Sequence, residues 1–128
     1  MMPYALIFVG GGLGSMARFA ISQWVYRWAA TGFPWGTLSV NVIGCGVIGA
    51  LGSLFDEGVL VEPNMRTFLM IGVLGGYTTF SSFGLEAWNL FREQQWISLA
   101  AYIGASNVAG LSAVVLGWTL VRMVVRPI

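Results

Sequence analysis

Four apolar stretches, each close to the length a helix needs to cross a bilayer, constrain this chain more than any other feature. They run over residues 4–26, 36–55, 67–91 and 97–121. About 20 helical residues span a hydrocarbon core of about 30 Å. Lipid offers no hydrogen-bond partners, so a spanning backbone must satisfy its own polar groups. Runs this long predict helices, and residues 1–128 are expected to form a single all-α domain of four transmembrane helices. The connections WAATGFPW, DEGVLVEPNMR and REQQW are short, and an even span count puts both termini on one side. Only 9% of the residues are charged, whereas a soluble domain carries about 25%. No polar stretch is long enough for a separate soluble domain. The net charge is +1, with arginine as the sole cation, so nothing points to a nucleic-acid partner. Histidine is absent and Cys45 is alone, which excludes His/Cys metal clusters and internal disulfides. Cys45 reads as a small packing residue. The N-terminus MMPYALIFVGGG lacks the basic region of a cleaved signal, so the first span is expected to be retained.

The aromatic and small residues agree with this layout. Trp24, Trp28 and Trp35 flank the first turn, and Trp88 and Trp96 the third. Four spans put those turns on one membrane face, where tryptophan collects at the headgroups. Gly10/Gly14, Gly46/Ala50, Gly72/Gly76 and Ser106/Gly110 are spaced for close helix–helix approach. The run Gly12-x-Gly14-x-x-Ala17 resembles a dinucleotide fingerprint, but no acid precedes Asp56 and a second span intervenes. The motif needs a strand–turn–helix setting, and the nucleotide reading is set aside. Arg66, Arg122 and Arg126 fall on one face, Arg27 and Arg92 on the other. Arginine bias orients membrane proteins, and three against two is too small a bias to hold one orientation. The chain is therefore expected to insert both ways. Four helices are also few for a conduit with its walls, which points to a homodimer, oppositely inserted copies being one form of it.

Residues 72–86, GVLGGYTTFSSFGLE, break the rules of a quiet span. A glycine pair weakens the helix, Thr78, Thr79, Ser81 and Ser82 add hydroxyls, and Glu86 adds a carboxylate. Polar, helix-weakening sequence at membrane depth survives when it is buried in protein or lines a watery path. The third helix is expected to be broken near its centre, around Gly75-Gly76 and Thr78. Carbonyls freed there can hold an alkali cation, or the glycines can mark a simple kink. Phe80 and Phe83 share a helix face, and the positive edge of an aromatic ring can touch a small anion without trapping it. Asn41, inside the second span, is either an interhelical hydrogen bond or an anion-facing donor. Arg18 and Glu86 are intramembrane charges near the same face, where they pair or Arg18 lines an electropositive vestibule. Tyr102, Ser106 and Gly110 form one small, partly polar stripe on the fourth span.

Taken together, GTLSVN in span two, GGYTTFSSF-x-x-E in span three and Arg18 in the glycine-rich first span resemble the Fluc (CrcB-type) family of fluoride ion channels. The resemblance covers essentially the whole chain. It implies a dual-topology homodimer of antiparallel subunits with two fluoride pathways. It also implies passive fluoride export that confers fluoride resistance, in a multi-pass protein of the bacterial cell membrane and not an enzyme. By motif position, Phe80, Phe83 and Asn41 would line the pathway, with Tyr102 and Ser106 on a polar track. Gly75 and Thr78 would give backbone carbonyls to a structural Na+ at the dimer interface. The sequence departs from the family at Gly110, where a hydroxyl is frequent, and at Ser82, where threonine is. A small proton-coupled multidrug exporter is the alternative. It calls for an essential glutamate in the first span, where this chain has only Arg18.

Overall fold

In the computed structural model, which describes residues 1–126, long helices carry the chain back and forth four times. Helix α1 covers Met2–Trp28 and α2 covers Trp35–Asp56. The third passage is composite: α3 (Pro63–Arg66), a π-helical stretch (Thr67–Val73), α4 (Leu74–Tyr77) and α5 (Phe80–Arg92). The fourth is α6 (Trp96–Val125), and no strand occurs among the described residues. Each passage is long and apolar enough to cross a membrane, and the protein is an all-helical, multi-pass membrane protein.

The packing is inside-out relative to a soluble bundle. Phe8, Val108, Leu111 and Val124 are exposed, while glycines, Thr37, Ser53 and Tyr102 are buried. Lipid tails are as apolar as leucine, so helices associate through close backbone approach rather than hydrophobic burial. A Cβ on Gly10 would lie 2.8 Å from the Phe68 carbonyl oxygen and 3.0 Å from Gly72 Cα. One on Gly14 would collide with the Val73 carbonyl, and one on Gly76 with Gly11. The contacts advance together along both chains, so α1 runs parallel to the third passage. Along the other seam, Gly117 leaves room only for the backbone at Gly46 and Ala50, and Gly49 meets Val114. Thus α2 runs parallel to α6. Of the small-residue pairs, Gly10/Gly14 meets Gly72/Gly76, whereas Gly46/Ala50 meets Gly117, which spacing had not singled out.

The two ends differ. At one, the first turn and the end of α5 share a cleft that includes Thr31, Phe33, Asn89 and Glu93. Trp24, Trp28, Trp35, Trp88 and Trp96 are exposed around this end. At the other, the buried Glu57 side chain takes Arg122 Nε at 3.4 Å and also pairs with Arg126. That clasp ties the end of α6 to the end of α2.

Candidate functional site

The helical ladder of the third passage stops at two residues, Thr78 (φ −79°, ψ 155°) and Thr79 (φ −148°, ψ 117°), both extended. Sequence reading placed the unwinding at Gly75-Gly76 and Thr78. Both glycines instead stay helical, because Gly76 is needed for contact with Gly11, and the extension moves on to Thr79. What holds Thr79 there is Asn41. Its Nδ2 donates to the Thr79 carbonyl at 3.0 Å, and its Oδ1 accepts the Thr79 N–H at 2.9 Å. The amide thus does for Thr79 what a neighbouring strand would do. Thr79 then opens α5: its Oγ1 accepts the Ser82 N–H at 3.2 Å, a helix N-cap. Part of the hydroxyl run is therefore local structure.

These bonds have a consequence for two carbonyls. In an unbroken helix the Gly75 oxygen would accept from the Thr79 N–H and the Thr78 oxygen from the Ser82 N–H. Those N–H groups go to Asn41 and to Thr79 Oγ1 instead. Gly75 is exposed, with nothing near a Cβ built on it. The Gly76 carbonyl, by contrast, takes Arg18 Nε at 3.1 Å and Ser15 Oγ at 3.4 Å.

Two cavities meet at the break. A groove of about 630 Å³ brings together Asn41, Gly75, Thr78, Phe80, Phe83 and Ser106. Phe80 is 84% exposed on its wall, and its ring centroid stands 5.5 Å from that of Phe83. Across Thr79, a cleft of about 290 Å³ is lined by Arg18 and by the hydroxyls of Ser15, Ser22, Thr37, Thr79 and Ser82. Neither cavity is lined by a carboxylate. The hydroxyls of Ser15, Thr37 and Thr79 donate within the protein, so the donors left open to a small anion are the Arg18 guanidinium, the second Asn41 N–H and the hydroxyls of Ser22, Ser82 and Ser106.

Tyr102 and Glu86 lie behind the groove rather than on its wall. Tyr102 is fully buried, its ring centroid 5.1 Å from Phe83. Its hydroxyl donates to Glu86 Oε2 at 2.7 Å, while Thr37 Oγ1 and Tyr26 Oη donate to Oε1 at 2.9 and 3.4 Å. Such donors suit a partly buried carboxylate, and Glu86 also lines the cleft at the tryptophan-ringed end. Of the two arrangements open to Arg18 and Glu86, the fold does not build the ion pair: Glu86 is met by hydroxyls and Arg18 turns to the Gly76 carbonyl. Thr37 was not anticipated, although it sits one turn before Asn41 on the same face of α2. Asn107 on α6, which lines the groove beside Ser106, was missed as well.

Comparison with known proteins identifies the family. The family described as CrcB-like protein, Camphor Resistance (CrcB), matches residues 5–118. A Rhizobium etli protein named fluoride-specific ion channel FluC is 40% identical over 125 residues, covering 98% of this chain and 100% of its own. Proteins of the same name from Agrobacterium fabrum and Rhizobium meliloti are 44% and 45% identical, over 95% and 94% of this chain and 98% and 96% of theirs. With a match of this extent running through all four passages and the break between Thr78 and Thr79, the chain belongs to the CrcB-like family.

Proposed function

We propose that this protein is a fluoride-selective channel, not an enzyme, and that it lets cytoplasmic fluoride leave a bacterial cell passively across the inner membrane. The observation that carries the reading is the break at Thr78–Thr79, flanked by two cavities that hold Arg18, Asn41, Ser82 and Ser106 and are lined by no carboxylate. The names of its relatives point the same way. Fluoride is small and strongly hydrated, so a path must replace its water with many weak contacts that still release it. Asn41, Phe80, Phe83 and Ser106 supply an amide, ring edges and a hydroxyl in one groove. Arg18 provides a positive potential on the far side of the break, and the Tyr102–Glu86–Thr37 network steadies the wall behind Phe83.

The working unit in this proposal is a homodimer of antiparallel copies with two pathways. The small imbalance in arginine distribution, three against two, supports dual insertion. The groove face, with exposed Gly75 and Phe80, is where the second copy would sit. A Na+ ion fits there. The carbonyls of Gly75 and Thr78 have lost their helical N–H partners, and a second copy would contribute the same pair. When bound, the ion supplies fixed positive charge near the anion path.

Reconstitution into liposomes loaded with fluoride and chloride tests the reading directly. Ion-selective electrodes should record rapid fluoride release with chloride retained. Equal leakage of both anions, or no fluoride release from dimers of verified mass, would refute it.

A further inference from the structure

Asn107 has no part in the readings above. It is exposed near the middle of the 30-residue α6, at a depth where lipid offers an amide no partner. Its Nδ2 donates one hydrogen to the Ile103 carbonyl at 2.8 Å, one turn back on its own helix. A primary amide has a second N–H and an acceptor oxygen, and no group of the protomer takes either among the described residues. The side chain lines the same groove as Asn41, Phe83 and Ser106. Asn41 is similarly placed: Thr79 takes one N–H and the oxygen, and one N–H remains.

We propose that Asn107 is a second amide donor to the permeating anion, giving the groove a fluoride-binding position between α2 and α6 in addition to that of Asn41. The inference rests on the channel reading. Its physical basis is where donors stand along α6 in the groove. The stripe Tyr102, Ser106, Gly110 has no side-chain donor at Gly110, although a Cβ there would make only ordinary contact with Cys45 Sγ at 3.4 Å. The next donor stands at Asn107, where the groove is open. The bond to Ile103 restrains the amide, so little rotamer freedom remains to be lost when an anion binds. Asn107 is neutral, so its added binding is shallow and compatible with release.

The test compares wild type, Asn107→Val and Asn107→Ser, each reconstituted as dimers of verified mass, by fluoride-electrode efflux at graded fluoride concentrations. Loss of one hydrogen bond to an anion predicts roughly tenfold slower efflux at low fluoride for Asn107→Val, with a raised half-saturating concentration. Asn107→Ser keeps a donor and should stay within about threefold of wild type. Asn107→Asp is isosteric and, when ionised, has no donor; it should be slow as well and serves if the valine variant does not assemble. Wild-type efflux by the valine or aspartate variant would overturn the proposal. So would dissociation of the dimer in step with lost flux, which would make Asn107 a contact between copies. If wild type itself passes no fluoride, the channel reading fails first and this inference goes with it; an active wild type with an unaltered Asn107→Val sinks the inference alone.

Discussion

Replacing Asn41 by aspartate separates the two roles the structure gives this amide. In the wild type, Asn41 spans the Thr79 peptide with bonds of 3.0 and 2.9 Å. An ionised aspartate keeps the acceptor for the Thr79 N–H but sets a second oxygen against the Thr79 carbonyl, with no proton between them. Leaving that carbonyl unmet costs about 1–3 kcal/mol, partly offset because the remaining bond becomes charge-assisted. The break at Thr79 should therefore survive. The electrostatic effect is larger. A carboxylate about 4 Å from a passing anion repels it by about 4 kcal/mol at an effective dielectric of 20, or nearly a thousandfold in occupancy. Asn41→Asp should accordingly elute as a dimer, unfold at a slightly lower temperature, and release fluoride from liposomes at least a hundredfold more slowly. Fluoride efflux within threefold of wild type would show that no anion passes Asn41, and the groove would have to be abandoned as the path.

Phe80→Ile removes a ring that is 84% exposed in the protomer. Thermal stability of the fold should hardly change while fluoride efflux falls by an order of magnitude or more; unchanged efflux would count against ring-edge coordination. Gly14→Ala drives a methyl into the Val73 carbonyl, whereas Gly12 has nothing within 4 Å of a Cβ. Overpacking costs about 1–3 kcal/mol, so thermal unfolding should detect the first substitution and not the second. Exchange of Na+ for N-methylglucamine during purification should lower dimer stability. Thr78→Ser, which keeps the carbonyl and the hydroxyl bond to the Leu74 carbonyl, should remain sodium-responsive. Dimers indifferent to sodium would remove the ion from the scheme.

What residue order settles here follows from the solvent. In lipid a backbone satisfies its hydrogen bonds within its own segment, so apolar run lengths gave the four passages and their turns with little reference to tertiary contacts. The same logic marked Arg18, Asn41 and Glu86 as residues that must find partners, but could not say which partners. The choice between an Arg18–Glu86 pair and an Arg18-lined vestibule illustrates the limit. Neighbouring groups decide it: the hydroxyls of Thr37, Tyr26 and Tyr102 donate to Glu86, and the Gly76 carbonyl accepts from Arg18. Glycine spacing marked the seam between α1 and the third passage, yet Gly117 emerged only when α6 was laid against α2. Propensity likewise put the break at the glycine pair together with Thr78, and only Thr78 of these three is extended. The fold keeps both glycines helical, with Gly76 against Gly11 of α1, and extends Thr78 and Thr79, where Asn41 arrives from another helix to pair with the Thr79 peptide group. Local chemistry thus determined which groups are costly to leave unmet, and the arrangement of the four passages determined how each is met.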